Sequence, residues 1–198
     1  MVKVSIFNYG VGNLYSLRVA LDRIGAQPSI TSSMRSCRDS DAILLPGVGN
    51  FSDVTKRLPL HAISDWIDEG KPLLGICLGM QLLFKHSEEG EGKGIGLLPG
   101  KVKRFPSTVK IPQIGWNVVR KRKDSVLLDG APNTPWVYYV HSYYPDTEGP
   151  WVTATSEYGL EYPCMIESKN VFGVQFHPEK SGTTGRVILE NFLRMLKK

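Results

Sequence analysis

The sequence predicts an α/β fold with a mostly parallel central sheet, helices on both faces and additional antiparallel strands. The first supporting observation is a set of short apolar runs at 2–7, 42–45 and 72–76, each with the length of a buried strand. The second is that each run is followed by a stretch with apolar residues at helical spacing. Strands that alternate with helices are typical of a parallel sheet covered on both faces.

Helix boundaries can be placed from capping residues. The first helix is predicted at 14–24, after Asn13, whose side chain can cap a helix start, and before Gly25, a common helix end. A second helix is predicted to end at Gly70, and a third at 78–84 follows the third strand directly. These positions complete the strand–helix alternation of the first half.

The second half differs in character. Between 101 and 174 the apolar runs are short and are interrupted by proline, glycine and charged residues, which predicts antiparallel strands and long loops laid onto the parallel core. A last helix is predicted at 183–196. Because no linker, repeat or low-complexity stretch occurs and 198 residues suffice for a full hydrophobic core, we expect one domain over residues 1–198.

Composition narrows the function classes. No apolar run approaches the length that spans a bilayer, and the apolar N-terminal stretch is too short for a signal peptide, so we expect a cytoplasmic protein without membrane association. Three widely spaced cysteines without a CxxC pair indicate neither a disulfide framework nor a thiolate zinc site. We therefore expect free thiols and no metal.

The net charge of +5 allows nucleic-acid binding or an acidic partner or substrate on charge alone. The densest basic run, Arg120–Lys123, contains no interleaved aromatic residue of the kind that a single-strand groove uses. A solvated turn before Asp124 is the favoured interpretation, and no nucleic-acid partner is expected.

The strongest chemical motif is Gly-Ile-Cys-Leu-Gly at 75–79, which has the form of a nucleophile elbow with Cys77 in the nucleophile position. A sharp strand-to-helix turn would expose the thiol above the sheet edge, and the start of the following helix favours its thiolate. The next backbone N–H, from Leu78, would face a developing oxyanion. The alternative is a buried structural cysteine, the usual fate of a lone Cys.

The second motif is Gln-Phe-His-Pro-Glu at 175–179. His177 precedes a proline and is therefore expected to be extended, so that Glu179 lies on the same side of the chain and can orient the imidazole. This is the nucleophile–base–orienter pattern of a catalytic triad. The alternatives are a surface His beside a surface Glu and a zinc deaminase motif. The zinc motif is incomplete, because Pro163–Cys164 precedes the histidine and position 167 is Glu.

Two glycine-rich loops follow predicted strands. Around Val48, Gly47 and Gly49 would let the backbone approach a ligand, so that Val48 and Gly49 are candidates for a second oxyanion donor; the alternative is a simple turn. The sequence Gly-Val-Gly at 10–12 has part of a dinucleotide fingerprint, but Tyr15 replaces its third glycine. No cofactor is therefore expected.

In their combination and order, these motifs resemble those of the class I (triad) glutamine amidotransferases over nearly the whole chain. That resemblance implies the flavodoxin-like core of this class. Within it, three stretches resemble the glutaminase subunit of imidazole glycerol phosphate synthase: Asn8–Leu14, Ile111–Asn117 and Val140–Tyr144. Asn8 departs from the family, which often has Asp there, but it lies outside the triad.

The resemblance implies hydrolysis of L-glutamine to glutamate and ammonia through a thioester on Cys77, with His177 as proton carrier. It implies a glutamine pocket lined by Gln81, His141, Ser142 and Tyr143, although plain packing is the alternative for His141. It also implies a heterodimer with a HisF-type cyclase, which uses the ammonia in histidine biosynthesis. Residues expected to face that partner are Asn13, Trp116 and Lys180.

Three other functions stay open from the sequence. One is a relative that supplies ammonia to nucleotide, anthranilate or pyridoxal phosphate synthesis, against which the stretch 111–117 argues. Another is a catalytically inactive binding module, against which the complete triad argues. The third is a cysteine peptidase or thioesterase on a similar sheet.

Overall fold

The computed structural model describes residues 1–10 and 12–197. Val11 lies outside the described residues; it is the central residue of the Gly-Val-Gly sequence that was compared above with a dinucleotide fingerprint. The α-helices of the described part are α1 (Leu14–Arg23), α2 (Met34–Cys37), α3 (Phe51–Thr55), α4 (Leu60–Asp68), α5 (Leu78–Gln81) and α6 (Gly182–Met195), with a 3₁₀ turn at Pro178–Lys180.

The strands comprise a first group in the parallel half and a second group in the antiparallel half. The first group is β1 (Lys3–Phe7), β2 (Gln27–Thr31), β3 (Ala42–Leu45) and β4 (Leu73–Ile76). The second is β5 (Lys101–Arg104), β6 (Gln113–Val118), β7 (Arg120–Lys121), β8 (Trp136–His141), β9 (Tyr143–Asp146), β10 (Val152–Glu157), β11 (Glu161–Ser168) and β12 (Val171–Val174).

The central sheet has eight strands in the order β2-β1-β3-β4-β12-β11-β10-β7. The five strands from β2 to β12 run parallel, and β11, β10 and β7 continue the sheet antiparallel. Two-stranded antiparallel sheets, β5-β9 and β6-β8, complete the second half. Because β4 and β12 are parallel neighbours, the segments that follow them emerge at the same sheet edge.

Side chains alternate across the central strands and feed two buried clusters. Leu44 of β3 joins the cluster that contains buried residues of α1 and α6, whereas its neighbours Ile43 and Leu45 join the cluster of α3 and α4. Successive side chains of a strand point to opposite faces. Helices therefore cover both faces of the sheet, which confirms the predicted α/β architecture.

Differences from the predicted elements have local causes. The helix expected at 78–84 is a single α-helical turn, since α5 ends at Gln81. The strand β2 was not predicted because it lies at the sheet edge, contains Pro28 and carries no buried side chain, so its sequence lacks an apolar run. The cap on α1 is confirmed: the Asn13 side chain accepts a hydrogen bond from the Ser16 N–H.

The basic run Arg120–Lys123 is engaged in ion pairs on the antiparallel side of the sheet. Arg120 pairs with Glu157, Lys121 with Asp124, and Arg122 with Glu161. The predicted turn is wrong for the first two residues of the run, because Arg120 and Lys121 form strand β7 at the sheet edge, but both are exposed to solvent as expected. Across residues 1–10 and 12–197, no helix combines the length and apolar character that a bilayer span requires.

Candidate active site

Cys77 stands at the turn from β4 into α5 in a strained backbone conformation. Its φ of 55° and ψ of −111° lie outside the regions that non-glycine residues favour. Such strain persists only where the surroundings enforce it, and it concentrates at functional sites. The elbow geometry predicted from the motif is therefore present, with the cysteine directly before the first turn of α5.

Two glycines explain why the elbow can be so tight. A Cβ on Gly79 would lie 1.8 Å from the carbonyl oxygen of Leu45, at the end of β3. A Cβ on Gly75 would lie 2.5 Å from the carbonyl oxygen of Gly79 itself. The elbow thus packs directly against the end of β3 at Gly79 and against its own backbone at Gly75. A side chain at either glycine would clash with these backbone atoms and widen the turn.

His177 and Glu179 form a buried pair beyond the end of β12. The imidazole Nδ1 and the carboxylate Oε1 are 2.9 Å apart, and both side chains are almost fully buried. Since the carboxylate accepts, Nδ1 carries the hydrogen and Nε2 is left as the proton-accepting nitrogen of the neutral ring. Nε2 is buried and has no hydrogen-bond partner among the described residues. This is the protonation pattern that a general base requires.

The electrostatic surroundings of His177 favour its charged form. Burial of the ring alone lowers the pKa, but the adjacent Cys77 sulfur and the Glu179 carboxylate outweigh burial, so the pKa of His177 is raised. A proton that leaves the thiol is therefore held well on the imidazole.

The loop after β3 lies against the start of α5. A Cβ on Gly47 would approach the Leu78 Cβ to 2.5 Å and the Gly79 nitrogen to 2.8 Å, so only glycine allows this contact. Within the described residues, the N–H groups of Val48, Gly49 and Leu78 donate no hydrogen bond to the protein. Unpaired donors on both sides of the thiol support the oxyanion assignment, which stays a prediction.

A cavity of about 250 Å³ opens over the thiol. The four residues that the resemblance assigned to glutamine binding all line it, together with the three proposed oxyanion donors and Cys77. His177 and Glu179 are absent from the lining and approach the thiol from within the protein. The wall of the cavity comprises Val48, Gly49, Cys77, Leu78, Gln81, Glu89, Pro112, Val140, His141, Ser142 and Tyr143.

His141 is a neutral histidine held by the protein. Its Nδ1 lies 2.8 Å from the carbonyl oxygen of Tyr143, and its Nε2 lies 3.5 Å from the Tyr162 hydroxyl. Because a carbonyl only accepts, Nδ1 is the protonated nitrogen. Burial is the main cause that lowers the pKa of His141 to about 4. Both ring nitrogens are thus committed to protein groups, which favours a structural role at the cavity wall.

Three residues near the thiol were not identified from the sequence. Glu89 lines the cavity as its one carboxylate among the described residues, and Gln175 donates a hydrogen bond to the Cys77 sulfur. Tyr9 is buried, and burial followed by the proximity of Cys77 raises its pKa. No spacing rule marks Glu89 or Tyr9. Gln175 is the first residue of the 175–179 motif, but the sequence assigned no role to it.

Two of the three residues expected to face a partner, Trp116 and Lys180, lie at an exposed apolar surface on the β6-β8 sheet. We call this surface the aromatic face; it consists of Ile114, Trp116, Trp136 and Tyr138. Trp116 is 53% exposed and packs edge-on against Tyr138, and the exposed Lys180 places its ammonium 5.8 Å above the Tyr138 ring. Asn13 is exposed at the start of α1.

Over residues 1–10 and 12–197, no group of three or more His, Cys, Asp or Glu side chains is arranged to hold a metal ion. The three cysteines are free and buried.

Comparison with known proteins agrees with the geometry. The family model "Glutamine amidotransferase class-I" matches residues 5–196. The chain is 48% identical over 201 aligned residues to imidazole glycerol phosphate synthase subunit HisH of Methanosarcina mazei, covering 98% of this chain and 100% of that one. It is 46% identical to the HisH subunit of Bacillus cereus, covering 96% and 93%.

Among solved structures, PurLQS from Thermotoga maritima matches with a TM-score of 0.80 at 20% identity, covering 98% of this chain and 99% of that one. This likeness confirms the fold. The chain therefore belongs to the class I glutamine amidotransferases and, within them, to the family of imidazole glycerol phosphate synthase subunit HisH.

Proposed function

We propose that this protein is the glutaminase subunit of imidazole glycerol phosphate synthase. It hydrolyses glutamine to glutamate and ammonia and passes the ammonia to a HisF-type cyclase in histidine biosynthesis, in the cytoplasm. The observation that carries the proposal is the strained Cys77 at the base of a cavity, beside the buried His177–Glu179 pair, in a member of the HisH family.

The first half of the reaction forms a thioester. His177 Nε2 takes the thiol proton, and the Cys77 sulfur attacks the side-chain amide carbon of glutamine. The negative charge that develops on the amide oxygen is held by the N–H groups of Leu78 and the Val48–Gly49 loop. When the carbon–nitrogen bond breaks, the imidazolium gives its proton to the leaving nitrogen, and ammonia departs.

The second half of the reaction hydrolyses the thioester and regenerates the free enzyme. Water attacks the thioester carbon while His177 takes a proton from it, and the same oxyanion donors hold the tetrahedral intermediate. Collapse expels the sulfur, which regains its proton from the imidazolium or stays as thiolate, and glutamate leaves. Glu179 keeps the imidazole oriented and stabilises its charge in both halves.

Glu89 is the group in the cavity that suits the α-ammonium of glutamine. Its Oε2 accepts a hydrogen bond from the Phe51 N–H at 2.7 Å, which fixes the carboxylate at the wall. Burial is the main cause that raises the pKa of Glu89. A bound ammonium group would favour the charged form of this carboxylate, because a nearby opposite charge stabilises it. The carboxylate thus provides a recognition site away from the scissile amide.

Glu89→Gln is expected to raise KM for glutamine about 10–100-fold with a smaller change in kcat, because a charge-assisted hydrogen bond to the ammonium is lost. Steady-state kinetics of the complex with the cyclase measures both constants. The matched control is Glu91→Gln, two residues away and exposed, which should leave KM unchanged. An unchanged KM in Glu89→Gln would remove this residue from substrate binding.

The aromatic face suits the cyclase. Monomeric surfaces rarely carry such contiguous apolar area, and buried Trp side chains dominate binding energy at interfaces. Strand β8 also reaches the active site with its carbonyl groups: Tyr138 O accepts from the His177 N–H, and Val140 O lies 3.8 Å from the Cys77 sulfur. A partner on this face would lie next to the site where ammonia forms.

Trp116→Ala is expected to weaken binding to the cyclase by about 30-fold or more, as expected when an interface hot spot is truncated. Titration of the labelled cyclase measures the affinity. Val126→Ala removes another exposed apolar side chain, outside the aromatic face, and should bind normally. Equal affinity of Trp116→Ala and the wild type would exclude the aromatic face as the docking surface.

Glutamine-dependent ammonia release, measured with and without the cyclase and against peptide and ester substrates, tests the proposed function. We expect ammonia release from glutamine but not from peptide or ester substrates, and we expect the protein to co-purify with the cyclase. Cleavage of peptides or esters in place of glutamine would favour the peptidase or thioesterase alternative. Glutamine hydrolysis without binding to the cyclase would favour a relative that serves another pathway.

A further inference from the structure

A chain of side-chain amides runs from the cavity wall to the Cys77 sulfur. Gln81 donates from its Nε2 to the carbonyl oxygen of Tyr143 at 2.9 Å and to Oε1 of Gln175 at 3.1 Å. Gln175 in turn donates from its Nε2 to the Cys77 sulfur at 3.6 Å. Gln175 is fully buried, so bulk water does not compete for the hydrogen bonds of its amide.

The sheet register explains why Gln175 meets the thiol. Val174 of β12 pairs with Ile76 of β4, and the Cys77 N–H donates to the carbonyl oxygen of Val174 at 2.7 Å. The residues that directly follow these two parallel neighbours, Gln175 and Cys77, are therefore side by side. The sheet itself, and no flexible loop, holds the amide next to the sulfur.

The direction of the chain is fixed at its far end. The Tyr143 carbonyl only accepts, so the Gln81 atom that faces it must be the NH₂ group. That same NH₂ group faces Gln175, which must therefore present its oxygen to Gln81 and its NH₂ group to the sulfur. A backbone carbonyl thus determines that an N–H donor points at Cys77, where an amide oxygen would repel a thiolate.

We propose that Gln175 belongs to the catalytic site: its amide N–H stabilises the Cys77 thiolate, and Gln81 acts as the positioning residue that locks the orientation of that amide. This inference rests on Cys77 being the nucleophile of the proposed function. It gives Gln81 a second role beside its place in the cavity wall. It also links the cavity wall at Tyr143 to the reactivity of the sulfur.

Other titratable groups also surround the thiol. His177 and Glu179 lie in the segment after β12, Tyr9 lies after β1, Glu89 and Tyr143 line the cavity wall, and His141 ends β8. A substitution at Gln175 changes none of these side chains. A change in thiol ionisation in a Gln175 variant therefore reports on the amide itself.

The test is the pH dependence of Cys77 alkylation by iodoacetamide, measured by peptide mass spectrometry on the complex with the cyclase. Gln175→Met keeps the length of the side chain and removes the donor. The midpoint of alkylation is expected to rise by about one pH unit, and the rate at neutral pH to fall about tenfold, as the loss of one hydrogen bond to a charged sulfur predicts. Gln81→Met should raise the midpoint by less.

Controls separate ionisation from stability. Asn191→Leu removes a buried amide on α6 that donates to the carbonyl oxygens of Leu127 and Asp129, and it should leave the midpoint unchanged. If Gln175→Met does not fold, Gln175→Leu provides the readout. That variant also removes the donor without adding a charge, and it is expected to raise the midpoint by a similar amount.

A wild-type midpoint in the Gln175 variant that folds, with Cys77 still labelled, would overturn the proposal. This measurement uses no glutamine. Failure of the proposed function would appear as absent glutamine hydrolysis in the wild type, whereas failure of this inference would appear as an unchanged midpoint in an enzyme that hydrolyses glutamine.

Discussion

Cys77→Ala is expected to lower kcat for glutamine hydrolysis by about 10⁴-fold or more, because no other group can form the thioester and the triad acts as a unit. Binding of the cyclase should persist, since Cys77 is buried beneath the cavity and the aromatic face is unchanged. Ammonia release and affinity for the cyclase are measured on the same preparation.

The control for this substitution is Cys37→Ala. Cys37 is also buried and free, but it lies at the end of α2, and its sulfur donates to the carbonyl oxygen of Ser33, the residue before that helix. Full activity is expected for it. Retained glutamine hydrolysis in Cys77→Ala would remove Cys77 from the mechanism, and an inactive wild type with normal cyclase binding would favour the binding-module alternative.

Gly79→Ala is expected to destabilise the protein by at least about 3 kcal/mol, the upper range of overpacking in a core. The added Cβ would meet the Leu45 carbonyl oxygen at 1.8 Å and the Leu45 carbonyl carbon at 2.7 Å, and backbone atoms in the middle of a sheet have little room to move. Thermal unfolding should show a fall in Tm of about 6–12 °C for a chain of this size. Activity should fall with it, because relief of the contact would open the elbow.

Gly25→Ala is the comparison for the Gly79 variant. Gly25 has a φ of 81° and no atom within 4 Å of an added Cβ, so the substitution brings backbone strain without a clash. A loss of about 1–2 kcal/mol is expected from the left-handed conformation alone. If Gly79→Ala were as stable as Gly25→Ala and fully active, close contact between α5 and β3 would not be what shapes the elbow.

The parallel half of the fold and the triad could be predicted from the sequence because local patterns determine them. The runs at 42–45 and 73–76 are buried on both faces and hence continuously apolar, and the run at 2–7 is interrupted only by Lys3 and Ser5. The elbow motif carries its own glycines, and His177 and Glu179 lie only two residues apart. The expectation of extended chain holds for His177 but is wrong for Glu179, which lies in the 3₁₀ turn at Pro178–Lys180 that follows the histidine. The structure places this pair beside Cys77 because β12 inserts next to β4, a long-range pairing that no local pattern contains.

What the sequence did not reveal depends on that same long-range order. Gln175 contacts the thiol only because β12, the strand directly before it, pairs with β4 in one register. Glu89 is held at the cavity wall by the hydrogen bond that its carboxylate accepts from the Phe51 N–H. The edge strand β2 was missed because exposure on both faces leaves no hydrophobic pattern. Side-chain contacts between distant segments are the information that a single sequence lacks.

The most direct test of the central claim is covalent labelling of the complex with a glutamine analogue that carries an electrophilic carbon in place of the amide. If Cys77 is the nucleophile, one label per chain is expected, on the peptide that contains Cys77. Activity should be lost in proportion to labelling, and glutamine should protect against both. Inactivation with the label on another residue, or full labelling of Cys77 with glutamine hydrolysis unchanged, would contradict it.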